Sequence, residues 1–420
     1  MLLNSLKNKV TVYGKGLEGA AAADFLTRLG CNVEIVCDPL DKALDGVVVK
    51  SPGVSLYRDD VKKAAQNGVV FTSGTNLFME YCAGLEKRPV LIGVTATKGK
   101  STTSTLIAHL LNALGHKTAL GGNIGKPVVS YAFEAQNYDF VVDEISSYQA
   151  ADLRRGFDVC AVLNLYPEHI DWHLTHENYY HDKLNILRVR KDGQKAVLNA
   201  QNDRLRAMTQ NEKDVVFYND GAGVHLQDGM FYDGETPLFE TSVLHLRGEH
   251  NLENACAALT VLKILGFDLK QTRAGLESFR ALPHRLQPLG EKKGALFVND
   301  SISTTPETAI AAMEAFAGKK IALIAGGYDR KQEYADLAAY IAKRGDVTVV
   351  TVPSTGHRLA QAVRDAGAKA YEASDLPSAV DVAVCLNADV ILLSPAAPSY
   401  DFYKNFEERG ALFKACFDRI

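Results

Sequence analysis

The chain has 420 residues and a mass of 45.7 kDa, a length that suits two or three domains at ~150 residues each. Hydrophobic residues make up 47% and charged residues 23%, a globular balance that excludes a mostly disordered chain. Lys and Arg total 46 against 50 Asp and Glu, so the formal charge of −4 gives no reason to expect nucleic-acid binding.

The opening residues run straight toward a strand without an apolar leader core or a cleavage site, so the cytoplasm is the expected location. No apolar run approaches the ~18 residues that span a bilayer, and no membrane partner is expected. Residues 10–13 read as a strand, Gly14-Lys15-Gly16-Leu17-Glu18-Gly19 fits G-x-G-x-x-G, and 20–29 read as a helix closing at Gly30. A second strand at 33–37 leads to Asp38, an acid ~20 residues beyond the glycines. Glycines let the backbone approach a pyrophosphate, and the helix start offers free N–H groups and a positive dipole end. The pattern leaves the nucleotide open, so an NAD-dependent oxidoreductase is one reading. Seven cysteines, at 31, 37, 82, 160, 256, 385 and 416, form no C-x-x-C pair and are expected as free thiols.

Glu86-Lys87-Arg88-Pro89 interrupts the periodic pattern and reads as a hinge. A short apolar strand at 90–94 then enters Thr95-Ala96-Thr97-Lys98-Gly99-Lys100-Ser101-Thr102. Leu106, Ile107, Leu110, Leu111 and Leu114 follow at helical spacing. Backbone N–H groups of Gly99-Lys100-Ser101 can wrap a phosphate, Lys100 can reach the outer phosphates, and Ser101 can ligate Mg²⁺. The strict phosphate-loop motif would place glycine at 94, where Val94 stands.

Apolar runs at 140–142 and 159–163 suit strands covered on both faces. The first ends in Asp143-Glu144, acids of the kind that hold the metal of a triphosphate, and alternation sends them to opposite sides. Spacing does not choose between them. The polar run 168–177 carries His169, His173 and His176; His169 and His173 would share a helix face, as in a zinc hydrolase, but H-E-x-x-H and nearby thiolates are missing. From Pro283 onward, strands at 321–325, 347–352 and 390–393 alternate with helical stretches such as 308–316. The expected architecture is α/β in three domains: a Rossmann-like 1–87, a phosphate-loop ATPase-type 88–281 with a mostly parallel sheet, and a Rossmann-like 282–420.

The ordered set of the 95–102 loop, Gly121-Gly122-Asn123-Ile124-Gly125, Glu144 in Asp-Glu-Ile-Ser-Ser-Tyr-Gln, 164–173 and Gly248–Asn254 resembles the Mur ligase family. Pro283-His284-Arg285, Asn299-Asp300-Ser301 and the ending from Ser394 through Gly410 extend the likeness over the whole chain. The resemblance implies an ATP-dependent amide ligase of peptidoglycan precursor synthesis that adds glutamate to UDP-N-acetylmuramoyl-L-alanine through an acyl phosphate. It implies that Gly14, Gly16, Leu17, Glu18 and Asp38 hold the UDP-sugar and that Asn123 contacts its sugar-peptide part. Thr97, Lys98, Gly99, Lys100, Ser101, Thr102, Asn251, Asn254, Arg285 and Asp300 would bind ATP. Thr304, Arg330, Ser399 and Phe406 would surround the incoming amino acid. Lys100, His169 and Lys183 would be catalytic, and two Mg²⁺ ions would lie on Ser101, Glu144, His169 and a carbamoylated Lys183. A monomer is expected.

Three residues depart from the usual family pattern: Ala96 for glycine, Lys98 for asparagine and Ile302 for lysine. Isoleucine cannot pair with a carboxylate, and a branch resembling this stretch adds L-glutamate. D-glutamate is the expected acceptor as the commoner activity, with L-glutamate the alternative.

Overall fold

The computed structural model describes residues 9–40, 43–246, 248–280 and 283–420. The opening segment read above for a leader and the 281/282 boundary lie outside these. Two compact units emerge, Met1–Phe279 and Arg280–Ile420.

The first unit begins with β1 (Lys9–Tyr13), β2 (Asn32–Val36), β3 (Val47–Lys50) and β4 (Val70–Thr72), a parallel sheet in the order β2-β1-β3-β4. Val10, Val12, Val48 and Val49 are buried in it, as β-branched residues fit a pleated interior. The helix after the glycine turn spans Leu17–Arg28, earlier than its apolar pattern. Gly16 caps it and Glu18 in its first turn complements the dipole, so the helix begins ahead of the apolar stripe.

The second sheet comprises β5 (Val90–Thr95), β6 (Thr118–Gly122), β7 (Phe140–Glu144), β8 (Val159–Val162), β9 (Lys195–Asn199) and β10 (Val215–Tyr218). All six are parallel, in the order β10-β9-β8-β5-β7-β6. Every residue of β7 and β8 is buried, which explains their unbroken apolar runs. One face packs on the helices Lys100–Ala113 and Glu249–Ile264. The other shares a core with the first sheet, since Phe25, Phe78, Val129 and Phe157 lie in one buried cluster. That common core unites both sheets in one compact unit. An antiparallel meander, β11 (Val224–Gln227), β12 (Met230–Asp233) and β13 (Thr236–Glu240), had no counterpart in the sequence reading.

The second unit holds β14 (Gln287–Lys292), β15 (Ala295–Asn299), β16 (Ile321–Ala325), β17 (Val347–Thr351), β18 (Lys369–Glu372) and β19 (Val390–Leu393). Their order is β14-β15-β19-β16-β17-β18, with only the β14–β15 pair antiparallel. Buried clusters cover both faces. In the first unit the strand order reverses at β1 and at β5. Crevices at the carboxyl ends of strands at such switch points are where open α/β sheets bind ligands.

Candidate active site

Beyond β1, Gly14 takes φ +110°, and a Cβ there would stand 2.5 Å from Ser51 Oγ at the end of β3. At Gly19 a Cβ would run into the Gly14 carbonyl oxygen, so both glycines are needed for the turn to close. Leu17 is fully presented to solvent at 79% exposure, while Glu18 accepts a bond from Gln149 Nε2 at 2.8 Å. Burial pushes the Glu18 carboxyl up to about 7. Asp38 accepts two bonds from Arg58, at 2.6 and 2.8 Å, and one from the Tyr13 hydroxyl, and these hold it down to about 2.

Beyond β5, the turn 96–99 enters the helix Lys100–Ala113 through Gly99, whose φ is +90°. A Cβ on Gly99 would sit 2.5 Å from Asn254 Oδ1, so the helix Glu249–Ile264 lies directly against the loop. Asn254 Nδ2 donates to Asn251 Oδ1 at 3.3 Å, one turn earlier on that helix. The loop is held from below. Lys98 N donates to Asn164 Oδ1 at 2.8 Å, Asn164 Nδ2 returns a bond to Lys98 O at 2.9 Å, and Thr97 Oγ1 lies 2.8 Å from Tyr179 OH. Lys98 Nζ donates to Glu168 Oε1 at 2.5 Å. Burial opposes ionisation of Glu168, but the Lys98 charge prevails and keeps its carboxyl below the ordinary value. Ser101 and Thr102 occupy the first turn of the helix, at the positive end of its dipole.

Two lysines meet at one oxygen. Lys100 Nζ donates to Ala96 O at 2.9 Å and to Thr97 O at 3.1 Å, and Lys183 Nζ donates to Ala96 O at 2.8 Å. Lys183 is only 1% exposed, and burial together with the Lys100 charge holds its amine well below the usual lysine value. Glu144 is equally buried; its Oε1 accepts from Asn123 Nδ2 at 2.7 Å, and its Oε2 has no protein partner. A buried carboxylate oxygen without a donor suits a cation, so the residues fit a metal ion. His169 lies at φ +55° with Nδ1 3.0 Å from Tyr148 OH, and burial lowers its imidazole against the pull of Glu168. Glu144, Glu168 and Lys100 all act electrostatically on Lys183, and Lys183 and Lys100 on His169.

Asp143 points away from this cluster, both its oxygens buried and without protein partners. Its electrostatic neighbours include Glu18, and burial raises it well above the usual carboxylate range. The zinc pairing of His169 with His173 is not formed. Both ring nitrogens of the fully buried His173 are engaged, Nδ1 with Asp182 Oδ2 at 2.7 Å and Nε2 with Ser147 Oγ at 3.0 Å. That arrangement, with Ser51 and the Lys98–Glu168 pair, escaped the sequence reading. The Ser51-Pro52-Gly53 turn was a signal for Ser51, whereas the polar run marked His173 only as a zinc candidate.

The remaining candidates lie in the second unit. Asp300 is buried and pushed up to about 6, its oxygens accepting from Leu286 N at 3.0 Å and Ser394 Oγ at 2.8 Å, with the Arg285 charge acting on it. Arg330 lies 5.4 Å over the Tyr400 ring, its N–H bonded to Gln332 Oε1, and Gln332 Nε2 donates to Thr304 O. Ser399 is buried, and Phe406 O accepts from Ser301 Oγ at 2.8 Å at the start of the helix Phe406–Arg419.

Residues 94–262 match the Mur ligase middle domain and 284–397 the Mur ligase glutamate ligase domain. A protein of Xanthomonas campestris pv. campestris (strain 8004), named UDP-N-acetylmuramoyl-L-alanine--L-glutamate ligase, is 40% identical over 87% of this chain and 81% of its own. The chain belongs to the Mur ligase family. Proteins of the same name from Xanthomonas euvesicatoria pv. vesicatoria (strain 85-10) and a Micromonospora species share 38% and 36% identity, each over 98% of this chain. They are themselves covered to 96% and 97%. Two Mur ligase structures from Thermotoga maritima have the same fold. The MurF ligase in complex with ADP gives a TM-score of 0.63 at 20% identity, covering 98% of this chain and 95% of that one. The UDP-N-acetylmuramate-alanine ligase gives 0.61 at 19%, covering 98% and 99%. As a Mur ligase the chain is an enzyme, and among the described residues no helix is long and apolar enough to cross a membrane.

Proposed function

We propose that this Mur ligase joins L-glutamate to UDP-N-acetylmuramoyl-L-alanine at the expense of ATP, in the cytoplasm and as a monomer. The names of its relatives favour L-glutamate over the D-isomer expected from the commoner activity, and Ile302 is consistent with that branch. We assign the UDP-sugar to residues 1–87, ATP to 88–281 and the amino acid to 282–420, with Thr304, Arg330, Ser399 and Phe406 on the acceptor.

The observation that carries the reading is the Glu144–Lys183–Lys100 group: a buried carboxylate with one unpartnered oxygen beside two lysines on the Ala96 carbonyl. A carboxylate is a poor acyl donor, so the terminal phosphoryl group of ATP passes first to the substrate carboxylate. The amine of glutamate attacks the acyl phosphate, an amide bond forms, and phosphate leaves. Lys100 and the N–H groups at 99–102 neutralise and orient the phosphates as the two anions approach. Asn123 orients Glu144 through its amide. Burial and the Lys100 charge disfavour the protonated amine of Lys183, and the neutral amine is the form that takes up CO₂ as a carbamate. Two Mg²⁺ ions, held by Ser101 and Glu144 and by His169 and the Lys183 carbamate, would supply charge neutralisation.

Phosphate release from ATP is the test, with the UDP-sugar present and each glutamate isomer supplied separately. Turnover is expected with L-glutamate and requires both substrates. Preference for the D-isomer refutes the acceptor assignment, and release without either substrate refutes the ligase assignment.

A further inference from the structure

The short helix Ile170–His173 has four residues, too few to be stable alone, and it is bounded by two left-handed residues, His169 at φ +55° and Leu174 at φ +68°. Left-handed conformations of such side chains cost ~1–2 kcal/mol each, so tertiary contacts must hold this turn in place. Those contacts converge on His173. Its Nδ1 faces Asp182, the residue before Lys183, and its Nε2 faces Ser147, three residues beyond Glu144. Asp182 accepts a further bond at 3.0 Å from the hydroxyl of Tyr57. Burial and the Asp182 charge push that hydroxyl up to about 12, so it remains a donor.

Tyr57 belongs to the segment that follows β3 and carries Ser51 beside the glycine turn. The same segment touches the short helix twice more. Ser55 Oγ donates to Trp172 O at 2.7 Å, and Trp172 Nε1 donates to Pro52 O at 3.0 Å. A carboxylate only accepts hydrogen bonds, so His173 presents an N–H from Nδ1 to Asp182, while Nε2 pairs with the Ser147 hydroxyl. One imidazole thereby ties together the strained turn presenting His169, the helix bearing Lys183, the turn after Glu144 and the segment bordering the glycine turn.

We propose that His173 is a positioning residue: with Asp182, Ser147 and Tyr57 it fixes the metal-facing side chains relative to one another and to the sugar-nucleotide segment. This rests on the assignment of Glu144, His169 and Lys183 given above, and it goes beyond it by naming the buried group that sets their geometry. Partners behind metal ligands typically contribute ~10–100-fold to metal affinity or activity.

The test uses the full-length chain with His173→Phe, Ser147→Ala and Tyr57→Phe. Mn²⁺ binding in the presence of ADP is followed by electron paramagnetic resonance, beside kcat and KM for each substrate. In His173→Phe, Mn²⁺ affinity is expected to fall ~10–100-fold and kcat with it, while KM for glutamate stays within ~2-fold. Ser147→Ala is expected to weaken Mn²⁺ in the same sense. Tyr57→Phe is expected to raise KM for the UDP-sugar by more than it lowers kcat. Unchanged Mn²⁺ affinity in His173→Phe, or a uniform loss of every parameter in proportion to the unfolded fraction, overturns the proposal. Should His173→Phe fail to fold, Ser147→Ala decides: weakened Mn²⁺ binding supports the proposal, and wild-type binding refutes it. Mn²⁺ binding with ADP needs no turnover, so a failure of the ligase assignment shows in the wild type alone and is distinct from a failure of the His173 role.

Discussion

Replacing Lys183 by methionine separates chemistry from packing. The lysine is 1% exposed, and its amine donates to the Ala96 oxygen at 2.8 Å. Methionine fills most of the same volume, and near-isosteric swaps in a core usually cost less than ~1.5 kcal/mol. The Ala96 oxygen keeps the bond from Lys100 at 2.9 Å, so no acceptor is stranded. Packing alone should therefore change stability little. Turnover should not survive: loss of a group that helps hold the phosphate-bound metal is expected to cut kcat at least ~100-fold, or ~2.7 kcal/mol of barrier. The lysine amine is held below its usual value by burial, so the unfolded chain binds more protons in the alkaline range. Wild-type stability should thus rise with pH up to about 10.4, and the methionine variant should lose that rise. Denaturant melts at several pH values and coupled phosphate-release assays measure both effects. A second variant, Lys183→Ala, should regain part of its activity with added formate or acetate. A methionine variant retaining more than a third of wild-type kcat would refute the role given to Lys183.

Further outcomes follow from neighbouring residues. Glu144→Gln can keep the acceptor for Asn123 while losing the charge, so its Mg²⁺ requirement should rise at least ~10-fold with an unchanged melting point, read by metal titration of activity. Gly99→Ala places a methyl group 2.5 Å from Asn254 Oδ1 at φ +90°, and KM for ATP should rise ~10-fold, for ~1.4 kcal/mol, in steady-state kinetics. Glu18 is raised from 4.5 to about 7 by burial, so it ionises more readily in the unfolded chain. Raising the pH from about 4.5 to 7 should therefore cost the wild type up to ~3 kcal/mol, and denaturant melts of Glu18→Gln should show a flatter profile across that window.

Strands buried on both faces were plain in the sequence because they need unbroken apolar residues, as at Val159–Val162 and Ile321–Ala325. The glycine turn and the phosphate loop were equally plain, since a positive φ and a close backbone approach demand glycine at 14 and 99. The meander of β11 to β13 stayed hidden because its strands are only four or five residues long, with Val224, Phe231 and Phe239 their buried positions. Two candidate acids at 143 and 144 were visible, but only the Asn123 contact and the nearness of Lys183 distinguish the second. His173 was singled out only as a zinc candidate, and its actual partners could not be read. Its meaning depends on Tyr57, Ser147 and Asp182, brought together across sequence separations that no periodicity records.

The oxygen of Ala96 receives a hydrogen from each of two lysines, one for each lone pair. An uncharged amine has two hydrogens and one free electron pair, and Lys183 spends a single hydrogen on this tether. In that form the electron pair can take carbon dioxide, and the second hydrogen can depart without loosening the nitrogen. The backbone at position 96 would thus act as a jig, gripping the same nitrogen before and after the carbamoylation proposed above.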